Sequence, residues 1–336
     1  MTDSPHVKKP ASQQEVLFEN EATRFWIADD DIGVLSFKTK MHIIGDLVLD
    51  SLNRAVDIAE EQLAGMVLWH PDEPFSAGAD LKAFMPIALR GLQPGSNALD
   101  ELLSHFQQSC IRMRKSGIPV VAAVHGLALG GGCELMMQCD RTVAALDSHI
   151  GLVEAGVGLI PSGSGCMELA RRASLKAGDG DLFPHLKPLF EIVATGKVAT
   201  SAEMAREYGF LRESDIMVMN SLEALHAALA EVRVLNAAGY RQPPEMPIRA
   251  GGLEAIASFR RAMTHTHEVG HISDHDLRIA SEVANALCGG AIEAGALLDE
   301  DRYLLCEREG FHRLIGSPET QARIRHTLDT GKPLRN

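Results

Sequence analysis

Apolar residues change their spacing along the chain in an order that predicts strands and helices in alternation. Residues 23–27 and Ile32–Phe37 read as two strands around Asp29-Asp30-Asp31, a hairpin turn. Over Asp46–Gln62, apolar Leu47, Leu49, Leu52, Val56 and Ala59 recur at helical spacing. Residues 65–69 (GMVLW) form a short continuous apolar run, the pattern of a buried strand. Pro-Asp-Glu-Pro and the small-residue loop Ser76-Ala77-Gly78-Ala79 follow it. A second unit repeats the plan, with a helix over 98–115, a strand over 119–124, a glycine-rich loop, a helix from Gly131 and a strand over Arg141–Ala145. Strands separated by helices favour an α/β fold over a sandwich.

Further along, residues 201–208 and 221–234 read as helices, and from Leu253 onward the periodicity is helical with no strand expected. Residues 175–188 (LKAGDGDLFPHLKP), punctuated by Gly and Pro, read as a surface loop or lid that helps shape a binding pocket. The division that follows is a flexible lead-in at 1–14, an α/β core at 15–245 and a helical region at 250–336, with no repeat of fixed period.

Composition narrows the function. A chain of 336 residues, 46% hydrophobic and 23% charged, can bury a full core without disulfides or metal staples and is neither disordered nor fibrous. Its 32 Lys and Arg against 45 Asp and Glu leave a net charge of −13, which argues against a general nucleic-acid surface. An anionic small molecule would have to be met by local donors. No apolar run reaches the ~18 residues of a membrane span, and the polar N-terminus has no signal-peptide core. Six cysteines without a CxxC pair read as reduced thiols, so a cytoplasmic location is expected.

The residues able to carry chemistry cluster between 120 and 165. Gly130-Gly131-Gly132 stands between a buried strand and a helix, where the first amides of the helix are unpaired and favour negative charge. A tight turn alone could use glycine there, but three in a row at a helix start carry a cost of roughly 1 kcal/mol each, which favours a functional reason. Ala77-Gly78-Ala79-Asp80 is a second amide-presenting loop after a strand, so the two could converge on one oxygen as an oxyanion hole. Glu134 (in CELMM) and Glu154 (in GLVEAGVGLIP) are carboxylates in apolar surroundings. Each alone reads as a paired or solvent-reaching Glu; together they could be an acid and a base in different protonation states.

Three blocks, PFSAGADLKAFM, GIPVVAAVHGLALGGGCELMMQCD and GLVEAGVGLIPSGSG, together resemble the enoyl-CoA hydratase/isomerase (crotonase) family in order and spacing. ATGKVATSAEMAREYGFL resembles the element that follows in that family, and the chain as far as TGKPLRN is similar to the hydratase portion of bacterial bifunctional hydratase/3-hydroxyacyl-CoA dehydrogenases. The resemblance implies a crotonase-type spiral of repeated ββα units with a C-terminal helical region. By it, Ala79 and Gly131 match the oxyanion-hole positions, Glu134 the carboxylate that activates water at C3, and Glu154 the one that protonates C2. Ala77, Asp80, Lys82, Gly130 and Pro161 fall at substrate-binding positions, with Lys82 equally readable as an exposed helix lysine. The implied activity is hydration of trans-2-enoyl-CoA in fatty-acid β-oxidation, without a metal or cofactor, coenzyme A being part of the substrate. The implied partners are the acyl-CoA itself, further copies in a homotrimer or hexamer, and a 3-hydroxyacyl-CoA dehydrogenase. Double-bond isomerisation, which needs one carboxylate, and a non-catalytic acyl-CoA-binding role are the alternatives.

Other templates compete. His267-Glu268-Val269-Gly270-His271 matches HExxH, which would make the chain a zinc hydrolase. That motif needs an unbroken helix; Gly270 weakens it, and Ser273-Asp274-His275-Asp276 reads as a fresh helix start with a capping box. A loop joining two helices is the better reading. Gly156-x-Gly158 meets Pro161 where a dinucleotide fingerprint requires a third glycine, and neither a GxSxG elbow nor a GxxxxGK[ST] loop occurs.

Overall fold

Three antiparallel strands open the chain, β1 (Val16–Glu19), β2 (Thr23–Asp29) and β3 (Ile32–Phe37). The structure, a computed structural model, describes residues 15–29 and 31–336, so the lead-in at 1–14 and Asp30 lie outside the described residues. Helix α1 (Asp46–Gln62) then crosses over to β4 (Gly65–Leu68), which runs parallel to β3. Two helices follow, α2 (Leu81–Gly91) and α3 (Ala98–Arg114), before β5 (Val120–Val124) joins parallel to β4. Asp80 starts α2 by accepting from the amides of Lys82 at 3.1 Å and Ala83 at 3.0 Å, donors that the first turn leaves without helical partners.

The next segment alternates between two layers. The short β6 (Leu127–Leu129) leads into α4 (Gly131–Gln138), then β7 (Arg141–Ala145) returns beside β5, and β8 (His149–Gly151) pairs parallel with β6. Helices α5 (Gly165–Ala177), α6 (Phe183–Ala194) and α7 (Ala202–Glu207) precede β9 (Ile216–Val218), which completes a seven-stranded sheet in the order β1-β2-β3-β4-β5-β7-β9. Small bridges at Ile44–Ala79, Ser76–Ala128 and Ile150–Ala199 extend the second layer. This layer places the loop at 76–79, the start of α4 and the chain after β8 side by side. Strands and helices alternate in the α/β architecture that the sequence predicts.

Helix α8 (Ala224–Ala237) covers one face of the sheet, where Ala228 and Val232 meet Val34, Val67, Val121 and Val143. The alternate residues of β5, Val120, Ala122 and Val124, belong to the larger core on the other face. Burial on both faces is why β5 reads as an unbroken apolar run.

The C-terminal part is β10 (Ile248–Arg249), α9 (Gly252–Glu268), α10 (Asp274–Leu287), β11 (Leu297–Leu298), α11 (Glu300–Ile315) and α12 (Pro318–Thr330). Helix α10 packs on α5 and α6, α11 on α3 and α5, and α12 on α2, so these helices join the same core. The expectation of no strand beyond Leu253 needs one correction: Leu297 and Leu298 pair antiparallel with β10. The expected loop at 175–188 is also corrected. Its two ends belong to α5 and α6, and only residues 178–182 link them. Pro184 stands in the first turn of α6, where a missing N–H costs little, and Leu182 and Leu186 are buried.

Candidate active site

Two loops after two strands meet at one end of the second layer. The Ser76 amide donates to Leu127 O at 2.8 Å and the Leu129 amide donates to Ser76 O at 3.0 Å, tying the first loop to β6. Gly78 (φ 104°) lies so close to β6 that a Cβ there would stand 2.9 Å from Leu129 O, so only glycine allows the approach. A Cβ placed on Gly131 would stand 3.4 Å from the Ala79 nitrogen, which makes the amides of Ala79 and Gly131 neighbours. Among the described residues neither amide donates to a protein acceptor. Two free, fixed N–H groups on one cavity wall are the donors an oxyanion requires.

The cavity measures about 660 Å³. Ile44, Leu49, Phe84, Leu103, Phe106 and Phe311 give it an apolar wall, while Ala77, Ala79, Asp80, Gly130, Gly131, Glu134 and Glu154 line its polar end. The structure thus brings together seven of the nine residues singled out in the sequence. Lys82 is exposed on the first turn of α2 and Pro161 is buried; neither lines the cavity. Residues 175–188 do not line it either, so the expectation that they shape the pocket is overturned.

Glu134 projects from the first turn of α4 and is 4% exposed. Its Oε1 accepts the amides of Gly163 and Gly165, each at 2.8 Å. Burial raises its pKa to about 7, against the opposing pull of those two amides. Gly163 has no room for more than hydrogen, since a Cβ would stand 2.7 Å from Glu134 Oε2 and 2.5 Å from the Phe106 ring.

Glu154 lies on a single 3-10 turn, Glu154–Val157, just beyond β8. Its Oε1 faces the glycine loop, because a Cβ on Gly130 would stand 3.2 Å from it. Oε2 is buried and has no hydrogen-bond partner among the described residues. Burial first, and then the charge of Glu134, push its pKa well above its ordinary value, which favours the protonated form.

One buried carboxylate escaped the sequence reading. Glu307 on α11 is fully buried and accepts the amides of Ser164 and Met167, each at 2.9 Å. Burial and the nearby Glu134 raise its pKa as well. A signal was available: Leu304, Glu307, Phe311 and Leu314 fall at helical spacing, which sets Glu307 within an apolar stripe. Further along, α9 stops at Glu268 and Ser273 opens α10 with a capping box to Asp276. His267 and His271 therefore do not share a helix face; the loop reading of HEVGH holds from Val269 onward, while His267 and Glu268 close α9. No helix among the described residues is long and apolar enough to cross a membrane.

Comparison with known proteins agrees with this geometry. An enoyl-CoA hydratase/isomerase family model matches residues 37–179, which span both amide loops and both glutamates. A Bacillus subtilis (strain 168) protein named "Probable 3-hydroxyacyl-CoA dehydrogenase" is 32% identical over 331 residues, 98% of this chain and 41% of that protein. The chain spans less than half the length of the curated relatives it matches. Among solved structures, an enoyl-CoA hydratase from Bacillus halodurans aligns over 90% of this chain and 99% of its own, with TM-score 0.59 at 18% identity. An enoyl-CoA hydratase/isomerase from Xanthobacter autotrophicus Py2 aligns over 94% of each chain, with TM-score 0.58 at 20% identity. At such identities the structures speak for the fold, and the family model with the long curated match speaks for kinship: over residues 37–179 the chain matches the enoyl-CoA hydratase/isomerase, or crotonase, family.

Proposed function

We propose that the chain catalyses the reversible hydration of trans-2-enoyl-CoA to 3-hydroxyacyl-CoA in fatty-acid β-oxidation. The observation that carries this reading is the pair of buried carboxylates on one cavity wall, set beside two free amides. In the proposed mechanism the thioester oxygen sits on the amides of Ala79 and Gly131, which stabilise the enolate-like charge that forms as C3 is attacked. Glu134, the more readily ionised of the pair, takes a proton from water while the water oxygen bonds to C3. Glu154, held protonated by its surroundings, gives its proton to C2. One proton enters and one leaves the protein, so the two carboxyl groups exchange protonation states and reset by proton exchange. Both groups also orient the water, so positioning contributes beside acid–base work.

No metal or redox group is required by this chemistry. The name of the B. subtilis relative refers to 3-hydroxyacyl-CoA, the hydration product, which supports a dehydrogenase as the next enzyme or partner. Assembly into homotrimers or hexamers is part of the same proposal. The test is an assay of purified protein on crotonyl-CoA and a long-chain trans-2-enoyl-CoA, following loss of the conjugated thioester absorbance. Hydration of either supports the reading. Conversion of a 3-enoyl-CoA without hydration of the 2-enoyl-CoA would make the chain an isomerase, and binding without turnover would make it a carrier.

A further inference from the structure

The start of α5 is held by two carboxylates from opposite sides. Glu134 accepts the amides of Gly163 and Gly165, while Glu307 accepts those of Ser164, through Oε2, and Met167, through Oε1. Successive N–H groups at 163, 164 and 165 thus point alternately to one carboxylate and the other. What makes this alternation possible is Ser164, which sits in the left-handed region at φ 99°, ψ 8°. For a residue with a side chain that conformation is strained and persists only where the surroundings over-determine it. Here Glu307 holds the Ser164 amide and Gln138 Nε2 donates to Ser164 Oγ at 3.0 Å.

Glu307 has no other evident task. It does not line the cavity, and among the described residues no cation stands within ion-pair distance of it. A carboxylate buried without a counter-ion is costly, and an apolar residue in the same stripe of α11 would pack without that cost. Gln107 reinforces its placement, donating from Nε2 to Glu307 Oε2 at 3.1 Å while its Oε1 accepts from Arg308 Nη1 at 2.6 Å.

We propose that Glu307 is a positioning residue for Glu134: by taking the amides of Ser164 and Met167 it keeps the turn in the strained form that offers Gly163 and Gly165 to the Glu134 carboxylate. This rests on Glu134 acting on the substrate as proposed above. Glu307 acts through backbone across which it never meets the substrate, so its loss lowers kcat and leaves KM nearly unchanged.

The test is Glu307→Gln, which keeps the volume but offers one acceptor oxygen where two amides need separate ones. Hydration of crotonyl-CoA is expected to lose about ten-fold in kcat with KM within about two-fold of wild type, the pattern of a lost transition-state interaction. Adding Ser164→Gly removes the penalty of the left-handed position and should recover about three-fold of that loss. A wild-type kcat in Glu307→Gln, or a loss that Ser164→Gly does not relieve, overturns the proposal. If Glu307→Gln does not fold, Gln107→Ala removes the donor behind Glu307, along with the bonds to Leu304 O and Arg308, and leaves the carboxylate in place. It should cost about three-fold in kcat at unchanged KM, and a wild-type kcat there overturns the proposal equally. Glu134→Gln, measured alongside, separates the two claims. If it is inactive while Glu307→Gln is normal, only this inference fails; if it is fully active, the functional reading fails with it.

Discussion

Glu134 and Glu154 face one cavity from seats of different construction. Glu134 stands on a helix and is gripped by backbone, two amides at 2.8 Å on a single oxygen. Glu154 stands on a 3-10 turn and has one buried oxygen without a partner among the described residues. That turn is steadied from far along the chain. Arg323 on α12 donates to Ala155 O at 3.1 Å, and Thr320 Oγ1 donates to Gly158 O at 2.7 Å. The comparison teaches how one pocket sets two protonation states. Two amides stabilise the ionised form of one carboxylate, while the other, buried with one oxygen unpartnered among the described residues, has its pKa pushed further up.

The largest effect should come from exchanging the carboxylates themselves. Glu134→Gln and Glu154→Gln keep shape and remove proton transfer, so each is expected to lose about 10²–10⁴ in kcat, the usual size of an acid–base contribution. The double variant should lose far less than the product of the two, because both groups act on one water. Glu134→Gln also reads the seat directly. A folded-state carboxyl with a raised pKa binds more protons than the unfolded chain between pH 4.5 and about 7, so its contribution to stability falls as pH rises through that window. Replacing it by Gln should flatten that fall in a series of denaturant titrations. An unchanged pH slope would mean that Glu134 titrates normally and that its seat has been misread.

A smaller effect is expected from the distant support of Glu154. Arg323 is 2% exposed and pairs with Asp276 at 2.8 Å, and its Nε donates to Asn336 Oδ1 at 2.8 Å. Arg323→Ala strands Asp276, which is itself partly exposed, so the expected cost is about 3 kcal/mol, the low end for breaking a buried pair. If the turn at 154–157 depends on α12, kcat should fall about five-fold with the Glu134 seat intact, a loss still well below that of removing a proton-transfer group. A destabilised Arg323→Ala with unchanged kcat would show that the turn holds itself.

The same contrast explains what could be read in the sequence. Helix α1 was legible to the residue because its buried face shows a helical period, and strands β3 and β7 because burial on both faces makes them short runs of mostly apolar residues. Glu134 itself was legible as a carboxylate in apolar surroundings, but the amides of Gly163 and Gly165 that seat it, 29 and 31 residues on, were not. The two amide-presenting loops were legible from their small-residue texture, while Ala79 and Gly131 within them came from the family resemblance. The three-residue strands β6 and β8 were not legible, being too short to show a period. Nor were Glu307 and Arg323, whose roles depend on helices that return across more than 140 residues to meet the site. At 175–188, glycine and proline read as breakers, yet Pro184 stands in the first turn of α6, and the helix runs on through Pro188 because buried Leu186 and Phe190 hold its inner face.

The smallest effect should come from a place that lies in neither seat. His267 and His271 match a metal-binding pattern in sequence, but the backbone between them undoes it. Helix α9 ends at Glu268, Gly270 turns left-handed at φ 78°, and the His271 amide donates back to Thr266 O at 3.1 Å. A helical HExxH needs both histidines on one face, and a left-handed residue between them breaks that face. The polar contact found here is His267 Nε2 with Asp274 at 2.7 Å, on a surface where Asp274 is 94% exposed. Exposed pairs of this kind contribute little, so replacing both histidines with Gln should change stability by no more than about 0.5 kcal/mol. Hydration should proceed at the wild-type rate, and elemental analysis should find no stoichiometric zinc in either protein. Zinc at one per chain, lost together with activity in the double variant, would put a metal in place of the carboxylate pair as the agent that activates water.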